Sequence, residues 1–476
     1  MGFALVAHAA RTKTHRMSDG TVLHFVHHAP LRELTRPGIE WDARKTYRLP
    51  VVLVAFSDCG FSQEDPRQFY DRLFNESGFN LRSGPGCVAD YFRDQSRGLV
   101  NLQFDVQAPF VVTARQKEAG KYGGTFVPDA IGKVLQQLNL VDYDWNGDGR
   151  PEIVIVVYAG YGGNEKADKA KDCIWPNTRA TTYSVGSDRI TSVVSSTAEL
   201  WSNDNPCGIG TICHEFSHFL GLPDLYPTSG NEFSVLDEWD LMDGGNYADD
   251  GWCPPNYSVH ELEYVGWLTA EELTEAATIN DISPLSNGGG GYRIVSETNS
   301  SDYYLLENRQ WDGWDLMLPG HGLLVTHVDF KSSDWMNNVV NVTPTHHRLE
   351  FMHADGHDYN YYEALLGETS GVYGPDGRSL FLQHTAYPYV DTDGAIHDAL
   401  PDLMGKSVID IQETDGLLSF RFSDSPLAIT DPTSDIHPVA VFDLQGRRYP
   451  STITQLPPAA LYIVRYSDGS TRKICR

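Results

Sequence analysis

Three textures follow one another along the chain. The first mixes strands and helices. Leu49 to Phe56 is an apolar run stopped by Ser57-Asp58, and it predicts a buried strand. Asp65 to Asn75 carries Phe69, Leu73 and Phe74 at helical spacing behind an Asp65-Pro66 start. Cys87 to Gln95 predicts a second helix with Val88, Tyr91 and Phe92 on one side, and Asn101 to Val106 alternates as an edge strand does. Ala130 to Leu138 reads as helix, and Ile153 to Tyr158 as a central strand ended by Ala159-Gly160. Glu165 to Trp201 is polar and reads as irregular. Tyr257 to Trp267 predicts a helix that closes the first domain near Ala270. From Glu271 the second texture is short alternating strands: Tyr292–Val295, Tyr303–Glu307, Gly322–Asp329, Leu380–Gln383 and Leu417–Phe422. Gly, Asn and Asp turns separate them, as in a β-sandwich or barrel. After Pro432 a third, short β texture follows, with Val439 to Leu444, Leu461 to Tyr466 and a basic end at Arg472-Lys473.

The expected fold class is therefore α+β. A mixed twisted sheet with helices fills 46–270, a β-sandwich-like domain 271–424 and a short β tail 433–476, behind a leader or pro-segment remnant at 1–45. With 476 residues the chain has room for two or three domains. Its 36 basic and 64 acidic side chains give a net charge of −28, which argues against nucleic acid and anionic membranes as partners. No apolar run approaches a membrane span. Met1 to Ala10 ends in Ala7-His8-Ala9-Ala10, which resembles the end of a secretory signal peptide and points to export. The seven cysteines (Cys59, Cys87, Cys173, Cys207, Cys213, Cys253 and Cys475) form no C-x-x-C pair, and their odd number leaves room for one or two disulfides in a monomer.

The chemistry concentrates in Cys213-His214-Glu215-Phe216-Ser217-His218-Phe219-Leu220-Gly221-Leu222-Pro223-Asp224. Each helical residue turns the chain by about 100°, so His214 and His218 share a face and can present two imidazoles to one ion. Cys213 points elsewhere. Gly221 can end the helix in a left-handed conformation and return the chain so that Asp224 supplies a third ligand. The pattern H-E-x-x-H-x-x-G-x-x-D is a zinc-site pattern of the zincins, with Glu215 beside the first ligand. Two surface histidines and a solvated glutamate are the bland alternative. The flanking Ile209, Ile212, Phe216, Phe219, Leu220 and Leu222 favour burial, and buried histidines beside carboxylates call for a metal.

A second acidic stretch, Asp142 to Glu152, sets Asp144, Asn146, Asp148 and Glu152 around Gly147 and Gly149, a D-x-N-x-D-G-x-x-E loop suited to calcium rather than a plain acidic turn. Met242, in the turn Trp239-Asp240-Leu241-Met242-Asp243-Gly244, gains interest from its place after the zinc pattern. His321, His327, Asp329, His346, His347, His353 and His357 invite a second metal site, but strand histidines are more often packed or exposed.

These residues resemble a known family, the immune inhibitor A-like secreted zinc metallopeptidases of metzincin type. The resemblance rests on Pro50 to Asp58, Ala89 to Ser96, the 142–152 loop with Tyr158-Ala159-Gly160, Ile174-Trp175-Pro176, His214 to Tyr226, Trp239 to Asp243, Leu306-Glu307-Asn308-Arg309-Gln310 and Pro319-Gly320-His321-Gly322. It implies that His214, His218 and Asp224 hold one zinc ion, that Glu215 is the general base, and that protein or peptide substrates are hydrolysed outside the cell or at its surface. Gly244 stands where metzincins often carry a tyrosine, and Tyr247 is the nearest substitute. The tail from Val439 is similar to C-terminal sorting segments of secreted Bacteroidetes proteins, which implies secretion machinery as a partner. Two other readings share the zinc pattern: an adhesin stabilised by zinc and calcium, and a zinc hydrolase acting on non-peptide substrates. An intact Glu215 argues against the adhesin, since a structural site needs no base.

Overall fold

The computed structural model describes residues 14–16, 22–24, 31, 39–165, 167–228, 236–343, 345–356 and 383–426, and the tail strands 438–443, 448–449, 461–466 and 471–475. His357, most of the 1–45 segment and the greater part of Leu380–Gln383 lie outside the described residues. The fold is mixed α/β, with six sheets and few helices among the described residues.

Strand β1 (Tyr47–Ala55) is apolar on both sides because it lies inside a sheet covered on both faces. Helices α1 (Pro66–Asn75) and α2 (Val88–Gln95) start at Asp65 and Cys87, each of which caps a backbone N–H three residues on. Strand β2 (Leu102–Val106) forms the sheet's outer edge, and α3 (Phe126–Leu135) begins a turn before the expected Ala130 because Pro128 fits the first helical turn. Then come β3 (Ile153–Tyr161), β4 (Asn177–Val185) and β5 (Asp188–Leu200). The order is β2-β1-β3-β5-β4, parallel except for the antiparallel edge β4. Leu49, Val51 and Leu53 of β1, with Ile153, Ile155 and Val157 of β3, pack on α1 and α2. The alternate residues Val52, Val54, Val154 and Val156 pack on α3. Leu23 joins this second cluster.

The hairpin β4–β5 corrects the expectation of an irregular 165–201. Buried Ser and Thr (Thr178, Thr181, Ser192, Ser195, Ser196, Thr197) interrupt its buried apolar residues such as Tyr183, Val193 and Val194, so no clean hydrophobic alternation announces it. The hydroxyls find partners instead: Ser192 Oγ donates to Pro151 O at 2.6 Å, and Thr178 Oγ1 lies 2.8 Å from Ser195 Oγ. Burying small polar groups costs little once they are hydrogen-bonded. The helix expected over 257–267 is likewise shorter. It runs Val259–Tyr264, opens on a Ser258–Glu261 capping box and gives way to Gly266 at φ +76°.

Beyond residue 270 a five-stranded sheet, whose long strands are Gly291–Val295, Asp302–Arg309 and Gly322–Asp329, faces two ways. Tyr303, Leu305, Leu324 and Val328 enter the core that holds α1 and α2. Tyr304, Leu306, Leu323 and Val325 enter another core, shared with the four-stranded sheet of Ala277–Ile282, Leu400–Leu403, Lys406–Thr414 and Leu417–Ser423. One packed cluster thus crosses residue 270. No helix among the described residues is long and apolar enough to cross a membrane.

Arg309 joins these parts. Fully buried, it donates to Asp315 at 2.8 and 2.6 Å, to Glu307 at 3.0 Å and to Asn256 O at 3.2 Å, while Glu307 accepts from Val259 N at 2.6 Å. The two carboxylates drive the guanidinium pKa upward against the opposing effect of burial. Arg309→Met leaves two buried carboxylates without their cation, and is expected to destabilise the protein by about 3–5 kcal/mol in urea unfolding.

Candidate metal centre

Helix α4 (Gly210–Leu220) is buried from Gly210 to Phe219 because structure surrounds it. Phe216 packs on Phe92 with ring centroids 4.6 Å apart, and Phe219 lies beside Trp145 at 5.9 Å. A Cβ on Gly210 would stand 2.0 Å from Asn246 O, so only glycine lets the turn at Gly245–Tyr247 approach so closely. At the other end Gly221 takes φ +102°, and the Leu222 and Gly221 N–H groups close on Ser217 O and His218 O, both at 3.1 Å. The chain reverses there and carries Asp224 back over the helix.

The imidazoles are oriented by backbone carbonyls. His214 Nδ1 is 2.9 Å from Leu241 O, and His218 Nδ1 is 2.8 Å from Leu222 O. A carbonyl only accepts, so each Nδ1 carries the proton and each Nε2 presents its lone pair. Both Nε2 atoms lie 3.3 Å from Asp224 Oδ1. Donors about 2.0–2.2 Å from one tetrahedral zinc ion sit about 3.4 Å apart, so the separations fit such an ion. The chemistry of the set fits as well: two neutral imidazoles and one carboxylate, all buried and with donor atoms within 4.8 Å of one another. Cys213 is fully buried in the apolar core and takes no part in the donor set.

Glu215 is held from the sheet. Thr178 Oγ1 on β4 is 2.8 Å from Glu215 Oε2 and 2.7 Å from its main-chain O, and Ser195 Oγ on β5 is 3.2 Å from the same O. The turn holding Met242 acts through its backbone: Leu241 O meets His214, and Met242 O accepts from Leu225 N at 2.9 Å, while the methionine side chain is core. Tyr247 is buried near Glu215 and Asp224, and its pKa is pushed well up, chiefly by burial, with those carboxylates adding to it. Tyr226 stands closer to the donor set. Its ring stacks beside His214 at 6.4 Å and its hydroxyl hydrogen-bonds to Asp224. Sequence reasoning singled out neither Thr178 nor Tyr226, and it missed Asn338, which bonds to Asp224 twice. Only Tyr226 left a local signal, two residues past Asp224.

The 144–152 loop brings Asp144, Asp148 and Glu152 within one cation's reach. Within the same loop Asn146 Oδ1 accepts from Asp148 N at 2.9 Å, and Asp144 accepts from Gly147 N at 2.7 Å and Gly149 N at 2.8 Å. Glu152 is buried, with Oε1 lacking a hydrogen-bond partner, and its pKa is raised by burial and then by Asp144 and Asp148. The strand histidines are engaged in ion pairs or hydrogen bonds: His327 with Asp302 at 2.8 Å, His346 with Asp329 at 2.9 Å, His347 with Glu350 at 3.2 Å, His353 with Thr385 at 3.1 Å and His321 with Glu413 at 3.0 Å. Cys59, Cys87, Cys173, Cys207 and Cys213 are thiols outside any disulfide, which corrects the allowance for one or two bridges among them.

Residues 61–265 match the family model described as Immune inhibitor A peptidase M6, catalytic domain. Immune inhibitor A of Bacillus thuringiensis subsp. alesti is 24% identical over 279 aligned positions, covering 47% of this chain. The chain spans about 40% of the length of that curated relative.

Gly221→Ala forces a side chain into a left-handed backbone conformation. It is expected to lower stability by about 1–2 kcal/mol, read from urea or thermal unfolding.

Proposed function

The chain is related to the immune inhibitor A peptidases through residues 61–265, and on that premise we propose that it is a secreted zinc-dependent endopeptidase acting on proteins or peptides. The observation that carries the proposal is the pair of 3.3 Å separations from His214 Nε2 and His218 Nε2 to Asp224 Oδ1, with Glu215 next in the helix. His214, His218 and Asp224 would hold the ion. When bound, zinc supplies a Lewis acid that acidifies water and polarises a carbonyl.

Glu215 takes the proton from the attacking water and delivers it to the leaving amine as the peptide C–N bond breaks. Thr178 holds its carboxylate between helix and sheet, and Ser195 holds its main-chain carbonyl. Gly221 and the turn before Met242 fix the geometry from both ends, and Tyr226 and Tyr247 border the donors. We read the region 46–270 as a zincin-type unit of metzincin kind, 271–424 as sandwich-like and 433–476 as a tail for secretion machinery. A net charge of −28 suits none of the nucleic-acid roles. The family match and the built position of Glu215 weigh against a non-catalytic adhesin.

The 144–152 loop is read as a calcium site of Asp144, Asn146, Asp148 and Glu152, its three carboxylates lying within one cation's reach. Trp145 links it to the centre, since its N–H donates to Glu152 Oε2 at 2.7 Å and its ring meets Phe219 of α4.

Glu215→Ala is expected to keep zinc and fold while cutting cleavage of a casein-like substrate by at least about 100-fold. Chelation should abolish activity in the parent and zinc should restore it; turnover by zinc-replete Glu215→Ala would refute the mechanism. For the loop, a carboxyl with a raised folded-state pKa destabilises the protein as pH rises above its unfolded value, and the loss is complete above the folded value. Without calcium at pH 8, Glu152→Gln should therefore melt above the parent. With calcium the parent should gain several degrees and the variant little.

A further inference from the structure

We infer that Asn338 is a positioning residue for the third metal ligand, so that chain beyond the matched 61–265 segment completes the metal centre. The inference rests on the zinc reading of His214, His218 and Asp224. Asp224 uses its two carboxylate oxygens differently. Oδ1 faces both imidazoles, and Oδ2 accepts from Asn338 Nδ2 at 2.6 Å. The same amide turns its oxygen to the Asp224 main chain, where Oδ1 accepts from the N–H at 2.7 Å. One side chain thereby grips the ligand residue by backbone and carboxylate together. The carboxylate cannot rotate about its own axis without breaking the bond from Asn338 Nδ2 to Oδ2, which selects Oδ1 for the ion.

Asn338 is itself firmly placed. It follows the short helix Ser332–Met336, whose Trp335 is fully buried in the main core and donates through Nε1 to His260 Nε2 at 3.1 Å. Burial pushes the His260 pKa down to about 3, so this ring stays neutral and able to accept. Asn338 has φ +57°, a conformation that asparagine tolerates better than most side chains. Its carbonyl accepts from Thr228 Oγ1 at 2.8 Å. Three residues on, Asn341 Nδ2 donates to Leu225 O at 2.9 Å while its Oδ1 accepts from Arg348 N at 3.0 Å. Residues 338–341 thus hold the ligand-bearing segment at 224, 225 and 228. Partners that orient a metal-ligating carboxylate commonly govern metal affinity by about 10- to 100-fold.

The test compares the full chain with Asn338→Asp and Asn338→Gly. Aspartate keeps the size and backbone preference but sets an acceptor against Asp224 Oδ2; glycine keeps the backbone and removes the amide. Zinc affinity is measured by chelator competition, the site's ligand field by the visible bands of the cobalt-substituted protein, and folding of the metal-free protein by circular dichroism and urea midpoint. Expected are folded variants that hold zinc about 10- to 100-fold more weakly than the parent, with altered cobalt bands. Zinc affinity and cobalt bands equal to the parent's in a folded variant would overturn the inference, even if the urea midpoint fell, because that pattern belongs to a merely structural residue. A parent chain that itself binds no zinc would instead overturn the zinc reading.

Discussion

Two peptide carbonyls decide what the centre can be. Leu241 O and Leu222 O each occupy one nitrogen of a histidine, and that choice leaves the other nitrogen of both rings aimed at Asp224. Imidazole is ambiguous by itself, since either nitrogen can carry the proton. Here the ambiguity is removed by the backbone at two unrelated places, the glycine-ended turn after α4 and the turn before Met242. The donors are thereby arranged before any ion arrives, and the reorganisation that binding would otherwise require is small.

Such an arrangement is costly to bury, and the surrounding fold is organised to offset the cost. The sheet supplies hydroxyls to Glu215, the far segment at 338–341 supplies amides, and the buried Arg309 locks the second sheet against the chain at 256–259. The motif Leu306-Glu307-Asn308-Arg309-Gln310, one of the carriers of the family resemblance, owes its composition to this. Glu307 and Arg309 are a mutual neutralisation at a joint, and Asn308 Nδ2 bonds to Ile282 O and Gly416 O in the outer sheet.

What could be read from the chain alone follows the range of the interactions. The zinc motif is local: His214, Glu215 and His218 are related by helical period, and Gly221 announces the turn that Asp224 needs. The apolar strands Tyr47–Ala55 and Ile153–Tyr161 were legible because burial on both faces demands continuous hydrophobicity. The strand Asp188–Leu200 was not, since buried serines and threonines break up its apolar positions and find their partners elsewhere in the chain, Ser195 at Thr178 and Ser192 at Pro151. Thr178 and Asn338 were invisible for the same reason. Each acts on a residue 37 or 114 positions away, and nothing in its neighbours marks it.

The two-faced sheet after residue 270 has a consequence for how this molecule comes apart. Neighbouring residues on one strand, Tyr303 and Tyr304, or Leu323 and Leu324, are committed to opposite cores. Sliding a strand by a single position would evict both sets at once, so register is policed twice over. Stripping the outer sheet away would also bare the back of the layer that carries Asn338's segment. Damage at the periphery, by nicking or by heat, would therefore reach the cluster of His214, His218 and Asp224 through packing alone.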